Sequence, residues 1–496
     1  MKSLNKLSLV SLIGLLFFTS CARDTISADT GSVKTTPENE FVWNGLNSWY
    51  YWQKTTPTLA DGYNKTAKFA DLVSGKSADA LFYSLVTDPF SWIEKDGVIK
   101  SPSAALNAVK KGSGIDYTLF KVKGTNYYIG MVNYVVKGSP AADAGIVRGN
   151  AITEIRGEKI TTSNYRDLES DMVTITYQGM SRDIENKIVF GDKKTAVIVT
   201  RSVNEDPVAF YKLFKKNGKN IGYLVYNAYD ANFNSRLDAA FLQMKQDNVT
   251  DLILDLRYNG GGSVNTAIGL SYLIAGRKGN PFVSLKYNEK HQSQNTTYNL
   301  GNTLGGGASE SLNLNKVYVL TSDGTASASE LTMDGLGAYI DVIRIGGTTY
   351  GKFVGSITLY DSPDNGYTSA DNIKPPYNHG WTMQPIVFGY WNAKNNPHPQ
   401  KTDDNPNGGL MPTFPINSND YFGTLKEFGD ENSDIALIKA LQEITNQTSS
   451  IAALKLMASL KSFGNQSGNS GSDQFQFFGT QKTLTPNGTK AHLDKP

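Results

Sequence analysis

The sequence predicts a multidomain α+β protein: a small N-terminal helical segment, a β-domain and a larger α/β core. Three observations carry this. The chain has 496 residues, and at ~100–200 residues per domain it holds several domains. Its hydrophobic period changes from helical to alternating near residue 111. From 205 to 446 strand-like and helix-like runs alternate, as in a sheet with crossover helices. Hydrophobic residues are 39% of the chain, with 26 Tyr and 22 Phe, enough to build the cores this requires.

The composition also excludes functions. Lys+Arg 48 against Asp+Glu 46 is too balanced for a nucleic-acid partner. One cysteine, Cys21, leaves no internal disulfide and no multi-cysteine metal site. With only four histidines, no metal and no cofactor are expected.

Residues 1–20 read as a secretory signal. Lys2 and Lys6 precede an apolar run from Leu7 to Phe18, too short to span a bilayer. The run ends in Phe18-Thr19-Ser20-Cys21, which resembles the lipobox of bacterial lipoproteins. That resemblance implies cleavage before Cys21 and acylation of it. The chain would then be anchored to a lipid bilayer of the bacterial cell envelope, facing the periplasm or the cell surface. Residues 21–37 are polar and read as a tether.

Residues 38–110 form the predicted helical domain. Val42, Leu46, Trp49 and Tyr50 share one helical face. The crowd of Trp43, Trp49, Tyr50, Tyr51 and Trp52 is read as core packing rather than a ligand platform. Residues 111–204 carry strand-like runs at 127–136, 151–156, 172–177 and 196–201. Between the first two lies Gly138-Ser139-Pro140-Ala141-Ala142-Asp143-Ala144-Gly145-Ile146-Val147-Arg148-Gly149-Asn150. Pro140 suits a helix start, Gly145 its end, and Gly149-Asn150 a turn. This stretch resembles a bacterial PDZ domain, with Asn150 in place of the usual Asp. The resemblance implies that Gly114, Ile115, Asp116 and Tyr117 form a loop receiving a peptide carboxylate. Polypeptide substrates with accessible C-termini would dock there by strand addition.

Residues 205–446 read as the core. Strands are expected at 221–227, 252–256, 317–320 and 342–345. Helices are expected around Leu237, Ala240, Phe241 and Met244, and at 264–275, 326–339 and 435–444. Residues 447–496 are read as a C-terminal helix and loose tail.

Two strand-to-helix junctions carry small residues. Gly260-Gly261-Gly262 after Asp255-Leu256-Arg257 is a tight turn or an anion cradle. Thr325-Ala326-Ser327-Ala328-Ser329-Glu330 places serine in the positive field of a helix N-terminus, which suits an oxyanion or a plain N-cap. With Gly351-Lys352, these segments resemble the C-terminal processing peptidases. The resemblance covers most of the chain. It implies a ClpP/crotonase-like peptidase core and a serine endopeptidase with a Ser–Lys dyad, Ser327 as nucleophile and Lys352 as base. Their separation of 25 residues matches the family's spacing.

A serine hydroxyl needs a base to take its proton, and no histidine lies in these segments. Burial beside Phe353, Val354 and Tyr350 would favour the neutral lysine. The oxyanion hole would be the N–H of Ala328 with that of Gly261 or Gly262, Gly261 being favoured by register. Ser356 stands where the family carries a glutamine, and is the candidate third member. Glu330, Asp255 and Arg257 are read as structural. The alternative function is a catalytically inactive, PDZ-bearing peptide-binding lipoprotein.

Overall fold

The N-terminal helix begins where its sequence dictates. In a computed structural model describing residues 35–95, 110–446 and 475–481, except 186, 306–309, 372, 374, 397, 400 and 404, α1 spans Pro37–Trp49. Thr36 caps it by accepting from the Asn39 N–H at 3.3 Å, with Pro37 in the first turn. Val42, Leu46, Trp49 and Tyr50 are all buried. They pack in one cluster with α2 (Ala67–Val73) and α3 (Ala78–Leu85). Trp43 belongs to the same cluster, so this part of the aromatic crowd is core. The short strand β1 (Trp92–Lys95) follows.

The β-domain contains β2 (Ile115–Val122), β3 (Tyr128–Val135), a single turn of helix α4 (Pro140–Asp143), β4 (Ala151–Ile155), β5 (Met172–Gln178) and β6 (Lys194–Val199). The strands pair antiparallel in the order β6-β5-β4-β3-β2. This corrects one expectation. Ile115, Asp116 and Tyr117 lie in a strand, not a loop; Gly114 alone precedes it. Asp116 and Thr118 disguise the strand as polar, but both are buried and hydrogen-bond Asn133 on β3.

The core is built on β7 (Val208–Lys216), β8 (Lys219–Tyr226), α5 (Asn234–Gln246), β9 (Asp251–Asp255), α6 (Val264–Ala275), β10 (Pro281–Tyr287), β11 (Lys316–Thr321), α7 (Ala328–Leu336), β12 (Asp341–Gly346), β13 (Val354–Ser356), β14 (Trp381–Gln384), β15 (Ile386–Asn392), β16 (Phe414–Pro415) and α8 (Ile435–Thr445). One sheet runs β7-β8-β9-β11-β12-β16, parallel except for the β7–β8 hairpin. Alternate residues of its strands enter different cores. Leu252 and Leu254 pack with α5, α6 and α7, while Ile253, Tyr223 and Val225 pack with α8. This two-sided burial explains the continuous apolar runs in the sequence. A second, antiparallel sheet orders β10-β15-β13 beside the first.

The tail gives a second correction. Residues read as loose form a strand, β17 (Phe475–Thr480), added to the edge of β2. Apolar residues at Phe475 and Phe477 find aromatic partners there, which a tail sequence alone does not reveal. The expected C-terminal helix and the rest of the tail lie outside the described residues.

A buried ion network ties the β-domain to the core. Arg257 spans Asp255 (2.6 and 2.9 Å) and Asp434 (2.7 and 3.0 Å). Arg148, from the β-domain, reaches Asp434 at 3.3 Å and the Tyr258 hydroxyl at 2.9 Å. Two cations meet two anions, and Tyr223 adds a hydroxyl donor to Asp255 at 2.8 Å. Burial pushes the Asp434 carboxyl up, but the Arg257 and Arg148 guanidinium groups outweigh it and hold it down to about 2. An unfolded Asp titrates near ~3.9, so this stabilisation is present above that pH and is lost as pH falls towards about 2. Its size is roughly 2–3 kcal/mol. Urea unfolding should therefore show Asp434→Asn well below the parent at pH 6, with the gap narrowing towards pH 2; a gap that stays constant would remove the network's role in acid stability.

Candidate active site

Strand β11 ends at Thr321, and a short loop delivers Ser327 to the N-terminus of α7. Ser327 has φ 62° and ψ −112°, a backbone region that residues with a Cβ rarely enter. Its surroundings hold it there. The Leu331 N–H donates to Ser327 O at 2.8 Å, and the Ala326 N–H to Asn259 O at 3.1 Å. Thr325 Oγ1 donates to Leu256 O at 2.8 Å. The glycine turn wraps the serine: a Cβ on Gly261 (φ +101°) would lie 2.8 Å from Ser327 Cβ and 2.9 Å from Ala328 N. Glycine is therefore required there on two counts, space and backbone angle.

Lys352 sits in the turn between β12 and β13 and is fully buried. One carboxylate joins its turn to that of Ser327. Glu330 accepts the N–H of Ser327 (2.8 Å), Gly351 (2.6 Å) and Lys352 (2.8 Å) and the Thr349 hydroxyl (2.5 Å). Burial pushes the Glu330 carboxyl up, and these four donors oppose that. Tyr390 closes the other side, its hydroxyl placed 3.1 Å from Ser327 O and 3.2 Å from Lys352 O.

The Phe90 ring lies over the Lys352 ammonium, 5.0 Å from Nζ to the centroid. Asp88 shapes the turn that carries it, accepting the Phe90 and Ser91 N–H groups at 2.7 and 2.8 Å and the Tyr50 hydroxyl at 2.8 Å. Tyr350 lies against Phe90 at 5.9 Å. Beside the lysine turn opens a cavity of about 600 Å³, lined among others by Trp52, Phe90, Phe353, Trp391 and His398. His398 stacks on Phe353 at 4.4 Å, and burial lowers its pKa.

The structure thus brings Ser327, Ala328, Gly261 and Lys352 into one site. The Gly261 N–H donates to Asn259 Oδ1 at 2.9 Å in this arrangement. Ser327 Oγ is buried and has no hydrogen-bond partner among the described residues. Ser356 Oγ donates to Gln384 Oε1 at 2.9 Å, so a buried glutamine lies next to the position where sequence reasoning missed one. Gly114, Ile115, Asp116 and Tyr117 lie apart, in the β-domain. Cys21 is outside the described residues. Among the described residues, no group of three His, Cys, Asp or Glu side chains could hold a metal ion. Tyr390 and Gln384 carried no local sequence signal; Glu330 did, through its place three residues after the serine.

Comparison with known proteins relates the core to peptidases. Residues 220–373 match the model of peptidase family S41, and residues 38–92 match the S41 N-terminal domain. A crystal structure described as an S41 protease of Bacteroides fragilis superposes with TM-score 0.64 at 26% identity, covering 82% of this chain and 97% of that one. Proteins described as CtpA-like serine proteases are similar too. Those of Staphylococcus aureus strain N315 and Staphylococcus epidermidis are 28% and 25% identical over 269 and 261 residues. These alignments cover 49% and 48% of this chain and the same shares of those proteins, so the chain spans about half the length of the curated relatives it matches. The domains of peptidase family S41 are thus recognisable in residues 38–92 and 220–373, in line with the resemblance to the C-terminal processing peptidases.

Two variants test the geometry. Glu330→Gln turns an amide NH₂ towards backbone N–H donors and should cost about 2–4 kcal/mol in urea unfolding. Gly261→Ala should be destabilised and inactive on any substrate; a stable, active Gly261→Ala protein would show that the glycine turn does not abut the serine.

Proposed function

We propose that this chain is a serine endopeptidase that hydrolyses polypeptides, held at the bacterial cell envelope by acylated Cys21. Ser327 is the nucleophile and Lys352 the base. The observation that carries this reading is the strained Ser327 turn sharing one carboxylate, Glu330, with the turn of a fully buried lysine. The B. fragilis relative, named for protease activity and matched over most of both chains, supports it.

The chemistry follows from the parts. Neutral Lys352 takes the Ser327 proton as Oγ attacks the scissile carbonyl. Negative charge develops on the carbonyl oxygen at the N-terminus of α7, where the Ala328 N–H and the helix dipole favour it. The Gly261 amide is engaged by Asn259, so it joins this hole only by exchanging that partner. Lysine then gives its proton to the leaving amine, and water hydrolyses the acyl-serine by the same proton path. Ser356 is the candidate third member, and its hydroxyl donates to Gln384. The β-domain reads as a PDZ module that docks the polypeptide by strand addition.

Ser327→Ala should lower cleavage of an unfolded protein at least about a thousandfold with the fold intact by circular dichroism; undiminished cleavage would refute the nucleophile. Radiolabelled palmitate fed to cells should label the parent and leave Cys21→Ser unlabelled.

A further inference from the structure

The outer edge of β2 is already paired. Residues of β17 run antiparallel along it: Phe475 opposes Val122, Gln476 opposes Lys121, Phe477 opposes Phe120, and after a bulge Thr480 opposes Thr118. The segment also uses its side chains. Phe475 stacks on Phe422 at 4.5 Å, and Phe477 meets the edge of Phe120 at 5.9 Å. Phe478 enters between Tyr128 (4.8 Å) and Tyr165 (6.0 Å). Tyr165 belongs to a short 3₁₀ turn, Tyr165–Glu169, which makes the second wall of the groove.

The chemistry of this resident describes what the groove takes. First, it is internal: 15 residues follow Gln481. The end of the groove suits an internal segment. Glu169 accepts the Tyr117 hydroxyl at 2.9 Å and the Gln481 amide at 2.9 Å, and its carboxylate would repel a terminal one. Gly114, assigned by resemblance to a carboxylate loop, is packed on Ser139, where a Cβ would come within 2.1 Å of Ser139 Cβ. Second, the resident Phe-Gln-Phe-Phe-Gly-Thr-Gln is aromatic and uncharged.

Third, its hold is partial. Phe475 is buried at 3%, but Phe477 and Phe478 stay 36% and 38% exposed, so a rival aromatic strand can make contacts as good. Fourth, the resident lies beside the loop that leads to the site. Thr480 Cγ2 would meet a Cβ on Gly324 at 3.6 Å, and Gly324 lies three residues before Ser327.

We propose that the β2 edge is a docking strand for internal, extended, aromatic-bearing polypeptide segments, and that residues 475–481 occupy it in their place until displaced. This rests on the reading of the chain as a polypeptide hydrolase with a peptide-docking β-domain. A polypeptide bearing such a segment both gains the edge and removes Thr480 from the loop that leads to Ser327.

The test reads binding on the full chain carrying Ser327→Ala, so its outcome does not depend on cleavage. The probe is a fluorescent peptide of residues 475–481, acetylated and amidated, followed by anisotropy. Phe477→Ser with Phe478→Ser weakens the resident without touching buried side chains, and should bind the probe at least tenfold more tightly than the parent. In a second chain, Lys121→Cys and Gln476→Cys, with Cys21→Ser, place two surface cysteines directly opposite each other. Oxidation locks the resident and should weaken binding at least tenfold, and reduction should restore it. Probe affinity unchanged by the serine pair, or by oxidation, overturns the proposal. So does a free-carboxylate form of the peptide binding more than tenfold tighter than the amide.

Discussion

The carboxylate of Glu330 is the interaction on which the site depends. A buried carboxylate without partners would cost several kcal/mol, and here three main-chain N–H groups and one hydroxyl replace its water. Those donors come from two places far apart in sequence, the turn at Ser327 and the turn at 349–352. The positions of serine and lysine are therefore set through their backbones, by one shared acceptor. Tyr390 repeats the arrangement with opposite polarity, a single hydroxyl set against the carbonyls of both residues. Held from both sides, Ser327 can keep a backbone angle it would abandon in a free chain.

The other wall of the site hangs on the ion network. Strand β9 ends in Asp255, and the same chain continues through Arg257 and Asn259 into the glycine turn that abuts Ser327. Asp434 at the start of α8 fixes Arg257, and Arg148 brings in the β-domain. Removing one partner would leave an uncompensated charge in a dry interior, which is why all four are buried together. The network so couples the angle of the β-domain to the seat of the glycine turn. Position in the sheet, rather than contact with the reacting groups, is what Asp255 and Arg257 contribute.

What was legible in the sequence is what is local. The strand-to-helix junctions, the small residues around Ser327 and the Gly-Lys turn each announce themselves within a few residues, because a tight turn or a helix start needs particular residue types. The helical face of α1 and the apolar strands β9 and β11 were legible because burial imposes a period. Tyr390 and Gln384 were not, since nothing in their own neighbourhoods marks a place at the site. Strand β2 escaped because its polar residues are satisfied across the sheet by Asn133, a partner fixed only by register. Strand β17 escaped because its partner lies more than three hundred residues earlier in the chain.

Two elements beside the site come from opposite ends of the chain. Phe90, in the segment after α3, lies over Lys352. Thr480, in β17, lies against the loop that carries Ser327. Ser327 and Lys352 are both without exposed surface. The ring is held by Asp88 through three hydrogen bonds and by packing within the N-terminal core. Strand β17 is held by five paired positions and carries two partly exposed aromatics, and the proposal gives its place to another extended segment. Of the two elements, the tail is the one that, under the proposed docking, a substrate would replace by offering the same chemistry. Under that proposal, docking and displacement of the tail are one exchange of strands on the β2 edge.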